Sequence, residues 1–157
     1  MHPDDYRNKE DSKAVYWYSS PYDALNNWSA HQVEVHGEKF PTLEHAYHFS
    51  KFYENNPKIA ESIRQAKSAW EAKQIATKNE DKNRADWFDV NLDVMEDLFR
   101  KKVEQNLDVR DILLKTGSRK ICENSPVDSF WGLGKDGDGK NHMGQIQMKV
   151  RSEIRGK

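Results

Sequence analysis

Between Pro41 and Asn141 the chain restarts helices at short intervals, and this punctuation constrains its fold more than any other feature. Thr42 can cap a helix running to about Tyr53. Asn56-Pro57 puts proline at a first helical position, and Ser68 with Glu71 has the spacing of a capping box. Val94, Met95, Leu98, Phe99 and Val103 mark one face of a longer helix. Asp108 can cap a short helix carrying Ile112 and Leu113, which Gly117 ends. Met143, Ile146, Val150 and Ile154 define a last amphipathic helix. The β signals are few. Val15-Tyr16-Trp17-Tyr18 reads as a strand broken by Ser19-Ser20-Pro21, and Lys120 to Glu123 as another. Gln32 to Val35, His36-Gly37 and Lys39-Phe40 read as a short hairpin. The expected fold class is mainly α, a single compact helical domain with a small β element. Residues 1–13 are expected to be a flexible tail and residues 14–157 the domain.

Charged residues make up 32% of the 157, so the aliphatic core must be lean; five Trp, six Tyr and six Phe compensate with large buried areas. A formal net charge of −1 argues against a dedicated, non-specific nucleic-acid binder. Cys122 is alone and forms no internal disulfide, which fits a reducing compartment. No apolar run suits a signal peptide or a membrane span, so a cytoplasmic protein without membrane association is expected.

Two segments carry chemistry. In the first, Glu44, Tyr47, His48 and Lys51 lie at i, i+3, i+4 and i+7 and share one helix face. That face offers a general acid/base and an amine nucleophile. A solvated ion pair, Glu44 with Lys51 or His48, is the bland reading of the same spacing. The second segment runs from Asp128 to Asn141. Its glycines let the backbone approach a ligand, Trp131 can stack on a flat ring, and the helix starting near Asn141 offers N–H groups to an anion. A surface loop around one packed tryptophan is the alternative. Three tempting motifs fail. Gly134 to Lys140 has P-loop spacing, but Asn141 follows where Ser or Thr is required. Asp136-Gly137-Asp138 starts like a calcium loop, but Lys140 and Asn141 occupy a ligand position and the turn-glycine position. Glu44, His45 and His48 have no distant third ligand, so no metal is expected.

Several ordered motifs together resemble the NADAR (YbiA-like) family. They are Asn27-Trp28, Gly37, Phe40-Pro41-Thr42-x-Glu44-His45 with Lys51-Phe52, then Met95, Arg100, Lys102, Gln105-Asn106 and Leu113-Leu114-x-Thr116. Glu123, Asp128-x-x-Trp131-Gly132-x-Gly134 and Gly139-x-Asn141-x-x-Gly144 with Met148 and Arg151 match the second signature. Asn26, Ala76, His48 and Ser50 depart from the family's usual choices. The resemblance implies cleavage of N-glycosidic bonds between a ribose C1 and an exocyclic amino nitrogen. The expected substrates are phosphoribosylamino-pyrimidine intermediates of riboflavin synthesis. The alternatives are ADP-ribosyl guanine, free or in modified DNA, and a non-catalytic module binding ADP-ribose or a related nucleotide. On this resemblance Glu44 and Lys51 are catalytic, Trp131 stacks on the base, Asn27 and Asp128 bond the ribose, and Arg100 and Lys102 sit near phosphate. Trp28, Tyr47, His48, Gly132 and Asn141 complete the expected substrate-binding set. No cofactor is implied. Attack by Lys51 to give a Schiff base and attack by water activated by Glu44 both remain open.

Overall fold

The computed structural model describes residues 5–18 and 22–156. The chain forms two compact units, residues 1–26 with 107–157 and residues 27–106. Six α-helices and five short strands are present among the described residues, a mainly α fold with a small β element.

In the first unit, strands β1 (Lys9–Glu10), β2 (Ala14–Trp17) and β5 (Lys120–Glu123) form a sheet in the order β1-β2-β5. β1 pairs antiparallel to β2, and β2 pairs parallel to β5 with Val15 opposite Ile121. Part of the stretch expected to be a loose tail is therefore an edge strand. Its side chains are exposed, which is why no hydrophobic alternation announces it. Asp11 fixes the following turn by accepting from the N–H groups of Lys13 and Ala14 at 2.7 and 2.9 Å. Helix α5 (Leu107–Lys115) buries Val109 and Leu113, and α6 (His142–Arg155) buries Met143, Ile146 and Val150. Trp17 shows how an aromatic replaces aliphatic mass here. It is 1% exposed, and its indole N–H donates to Gln147 Oε1 at 2.8 Å. Gln147 in turn donates to the carbonyl of Leu25 at 2.9 Å. A buried indole needs such a partner, and the amide passes the bond on.

The second unit begins with a hairpin, β3 (Val33–Val35) and β4 (Glu38–Phe40), paired antiparallel as the sequence predicts. His36 and Gly37 both have positive φ, 56° and 75°, as a two-residue hairpin turn of this hand requires. Four helices follow: α1 (Leu43–Phe49), α2 (Pro57–Arg64), α3 (Ala69–Lys78) and α4 (Trp87–Gln105). Thr42 caps α1 through a bond from the His45 N–H. Ser68 caps α3, and Glu71 reaches back to the N–H of Lys67, one residue before the expected partner. Leu43, Ala46, Phe49 and Phe52 pack with Phe40, Ile63, Leu98 and Phe99 among the fully or nearly fully buried residues of this unit.

α1 ends at Phe49, earlier than its pattern suggests. The N–H groups of Lys51 and Phe52 bond to the carbonyls three residues back, of His48 and Phe49. The Ser50 hydroxyl competes for the Ala46 carbonyl at 2.8 Å. Together they tighten the last turn. Lys51 thus sits in a turn, still beside the residues of its helical face.

Candidate active site

The cluster in the second unit is built outward from the start of α1. The Asn27 carbonyl accepts from Glu44 N–H at 3.1 Å, and Thr42 Oγ1 accepts from His45 N–H at 3.2 Å. These first-turn donors are satisfied within the protein, so they are not available to hold an anion. His45 is equally committed: Nδ1 lies 2.8 Å from Thr42 Oγ1 and Nε2 lies 3.0 Å from the Ala66 carbonyl. A carbonyl can only accept, so Nε2 carries the proton and Nδ1 accepts from the threonine hydroxyl. His45 ties α1 to the segment after α2 and has no nitrogen left for a metal. Among the described residues no group of three or more His, Cys, Asp or Glu gathers in metal-binding geometry.

Glu44 and His48 make a buried pair. Nε2 of His48 lies 2.7 Å from Oε1 of Glu44, with side-chain exposures of 7% and 13% respectively. The expectation of a solvated surface pair at this spacing does not hold here. Lys51 Nζ lies 5.4 Å from the Tyr47 ring centroid and 5.7 Å from that of Trp87. Tyr47 and Trp87 are themselves in contact, with centroids 5.1 Å apart. Trp87 is held there because Arg84 N–H bonds the Lys51 carbonyl at 2.9 Å and Trp87 N–H bonds the Arg84 carbonyl.

The electrostatics follow from this geometry. Burial pushes the Glu44 carboxyl up, but the hydrogen bond and charge of His48, then Lys73 and Lys51, outweigh it and leave it below its ordinary value. Burial lowers His48 in spite of Glu44. We take the resting pair as carboxylate and neutral imidazole. Burial also lowers the Lys51 amine, and Lys73 adds to this, against the pull of Glu44 and Glu80. An ionised carboxylate beside an amine shifted toward its neutral form has the composition of a base and a nucleophile in one place.

The other expected residues fall differently. Asn27 is buried, with Nδ2 3.6 Å from Met95 Sδ, and Trp28 is exposed. Arg100 pairs with Glu96 at 2.8 Å on α4. Lys102 is fully buried, its amine donating to Ser29 Oγ at 2.8 Å. Asp128, Trp131, Gly132 and Asn141 belong to the first unit. There Asp128 Oδ1 accepts from the N–H groups of Phe130 and Trp131 at 2.9 and 2.8 Å, capping a turn. Trp131 stands edge-on to Phe130. Asn141, at φ 53°, bridges to β5: Oδ1 accepts from Glu123 N–H and Nδ2 donates to the Ile121 carbonyl, both at 2.9 Å. The N–H groups of Asn141, His142 and Met143 bond the carbonyls of Gly132, Phe130 and Trp131. The start of α6, expected to face an anion, is instead filled by its own loop. The glycines serve that closure: a Cβ on Gly132 would meet the Glu123 carbonyl at 2.6 Å, and one on Gly139 the Gly132 carbonyl at 2.4 Å.

Two residues near the Glu44 cluster had no signal in the sequence. Trp87 opens α4 and Lys73 lies on α3, so neither shares a helical period with Glu44. A separate cleft of about 620 Å³, between the hairpin and the end of α4, is lined by Gln32, Glu34, His36, Lys101, Gln105 and Asn106. It contains none of the expected site residues.

Residues 9–155 match the model of the NADAR domain. An N-glycosidase of Nostoc punctiforme is 36% identical over 144 residues, covering 90% of this chain and 92% of that protein. The N-glycosidase YbiA of Escherichia coli K12 is 32% identical over 139 residues, covering 88% and 86%. A riboflavin biosynthesis protein of Vibrio vulnificus is 32% identical over 152 residues, but this chain spans only 41% of its length. The NMR structure of E. coli YbiA superposes with a TM-score of 0.82 at 30% identity, covering 95% of this chain and 89% of that one. No helix among the described residues is long and apolar enough to cross a membrane. With the family model spanning nearly the whole chain and the fold shared with a solved relative, the protein belongs to the NADAR family.

Proposed function

We propose that the protein is an N-glycoside hydrolase that breaks the bond between a ribose C1 and an exocyclic amino nitrogen, with Lys51 as nucleophile and Glu44 as proton shuttle. The observation that carries this reading is the placement of the half-buried Lys51 amine against Tyr47 and Trp87, beside the Glu44 carboxylate that His48 hydrogen-bonds. A ribosylamine opens to an imine at C1. The neutral Lys51 amine adds to C1, and the base leaves as its free amine after gaining a proton. The resulting Lys51 Schiff base takes up water, releases the sugar as its aldehyde and restores the lysine amine. Glu44 moves the protons between these groups.

The names of relatives support the reaction class: two are N-glycosidases, and a third is a riboflavin biosynthesis protein. We therefore favour phosphoribosylamino-pyrimidine intermediates of riboflavin synthesis as substrates. A net charge near zero also favours small nucleotide-like molecules over long nucleic acid. ADP-ribosyl guanine presents the same linkage and is the second substrate to test. We place the protein in the cytoplasm.

Product analysis by mass spectrometry tests this. Wild type and Glu44→Gln are incubated separately with a riboflavin-pathway ribosylamine and an oligonucleotide carrying ADP-ribosyl guanine. Release of free base by wild type alone supports the hydrolase, and the faster substrate names the branch. Binding of either substrate without cleavage would make a non-catalytic nucleotide module the better description.

A further inference from the structure

His48 has one committed nitrogen and one that is enclosed but unpartnered among the described residues. Nε2 meets Glu44 Oε1 at 2.7 Å, whereas Nδ1 is buried with no hydrogen-bond partner among the described residues. A proton on Nδ1 would be a buried donor with nothing to receive it, which is costly. The ring therefore keeps its proton on Nε2 and points it at the carboxylate. The charged groups facing the ring are Glu44 one turn earlier, Lys51 after the helix and Lys73 from α3. With Nε2 committed to Glu44 and Nδ1 enclosed, the imidazole is not placed to act as an acid or base itself. Its enclosed Nδ1 also gives a substrate no access, in contrast with the substrate-binding role expected from sequence.

We propose that His48 is a positioning residue, whose single N–H fixes the Glu44 carboxylate in orientation and charge and leaves Oε2 to handle protons. Among the described residues Oε2 of Glu44 takes no hydrogen bond, and the side chain retains 13% exposure. The usual order, in which a carboxylate orients a histidine, is inverted. The chemistry requires only a neutral donor of the right reach, so an amide can stand in for the ring while an alkyl group cannot.

The test has two arms. In the first, which needs no substrate, the Glu44 carboxyl is titrated by carbon-13 NMR, with Glu44→Gln assigning its signal. Glu44 should titrate about one pH unit higher in His48→Leu than in wild type, and His48→Gln should bring it most of the way back. The second arm rests on the N-glycosidase reading. There His48→Leu should lose about 100-fold in kcat with KM nearly unchanged, and His48→Gln should recover at least about tenfold of that. A Glu44 titration unmoved by His48→Leu overturns the proposal. If His48→Leu does not fold, the His48→Gln protein decides: a Glu44 titration no longer held low overturns it, and one kept low supports it. If wild type cleaves no N-glycoside, the functional reading fails, and the titration alone decides the role of His48.

Discussion

The turn around α1 and the loop from Asp128 to Asn141 both crowd polar side chains into a short stretch, yet they treat them in opposite ways. In the loop, Asp128 caps a turn, Asn141 bridges two backbone groups of β5, and three N–H groups at the start of α6 are closed by loop carbonyls. Around α1, the Glu44–His48 pair is largely buried, an imidazole nitrogen has no partner among the described residues, and an amine rests against two aromatic rings. The first arrangement stabilises a fold. On the proposed reading the second holds reactivity at some cost in stability, as reaction centres commonly do. A polar cluster is informative about chemistry in proportion to what it leaves unsatisfied.

The contrast breaks most visibly on activity. Glu44→Gln and Lys51→Met should each lower kcat/KM by about 10³-fold or more, with the circular dichroism of wild type retained. Substitutions in the loop should act on stability instead. Asn141→Ala leaves the N–H of Glu123 and the carbonyl of Ile121 without their partner. It should cost about 2–3 kcal/mol, read by denaturant unfolding. Gly132→Ala places a methyl against the Glu123 backbone and should cost about 1–3 kcal/mol. A loop variant that kept full stability but lost turnover would blur the comparison.

A smaller effect sharpens it. Lys51 bears a burial penalty whenever it is charged in the folded state. Lys51→Met should therefore raise stability at neutral pH by about 1 kcal/mol while abolishing turnover. For His48 and Glu44, whose folded pKa values are lowered, stability is full above the ordinary values of 6.5 and 4.5. It should fall as acid protonates first the imidazole and then the carboxylate, so the thermal midpoint should drop from about pH 6.5 downward. Removing His48, as in His48→Gln, should flatten the upper part of that decline. Smallest of all, Arg100→Ala should change stability by less than about 0.5 kcal/mol, since its half-exposed pair with Glu96 is an ordinary helix-surface pair. A rise in KM for that variant would instead place Arg100 at the substrate phosphate.

Much of the α1 cluster is legible in the sequence because it is local. Helical spacing alone puts Glu44, Tyr47, His48 and Lys51 on one face, and Thr42 marks where that face begins. Trp87 and Lys73 are not legible, since only tertiary packing brings other helices to it. The internal closure of the loop is not legible for a related reason. Its glycines and the N–H groups of α6 look open to a ligand until the carbonyls of Phe130, Trp131 and Gly132 are seen filling them. β1 escaped notice because Lys9 and Glu10 are both exposed and carry no alternation. Division into two units has no compositional mark either: Asn26-Asn27 and Asn106-Leu107 lie in no linker-like stretch.

The central claim, that Lys51 is the nucleophile of the reaction, is tested most directly by trapping. Wild-type protein is mixed with a riboflavin-pathway ribosylamine in the presence of borohydride, and intact mass and peptide mapping follow. The account predicts one reduced sugar adduct, carried by Lys51 and missing in Lys51→Met. Rapid release of free base with no adduct on Lys51, or turnover that survives in Lys51→Met, would contradict it.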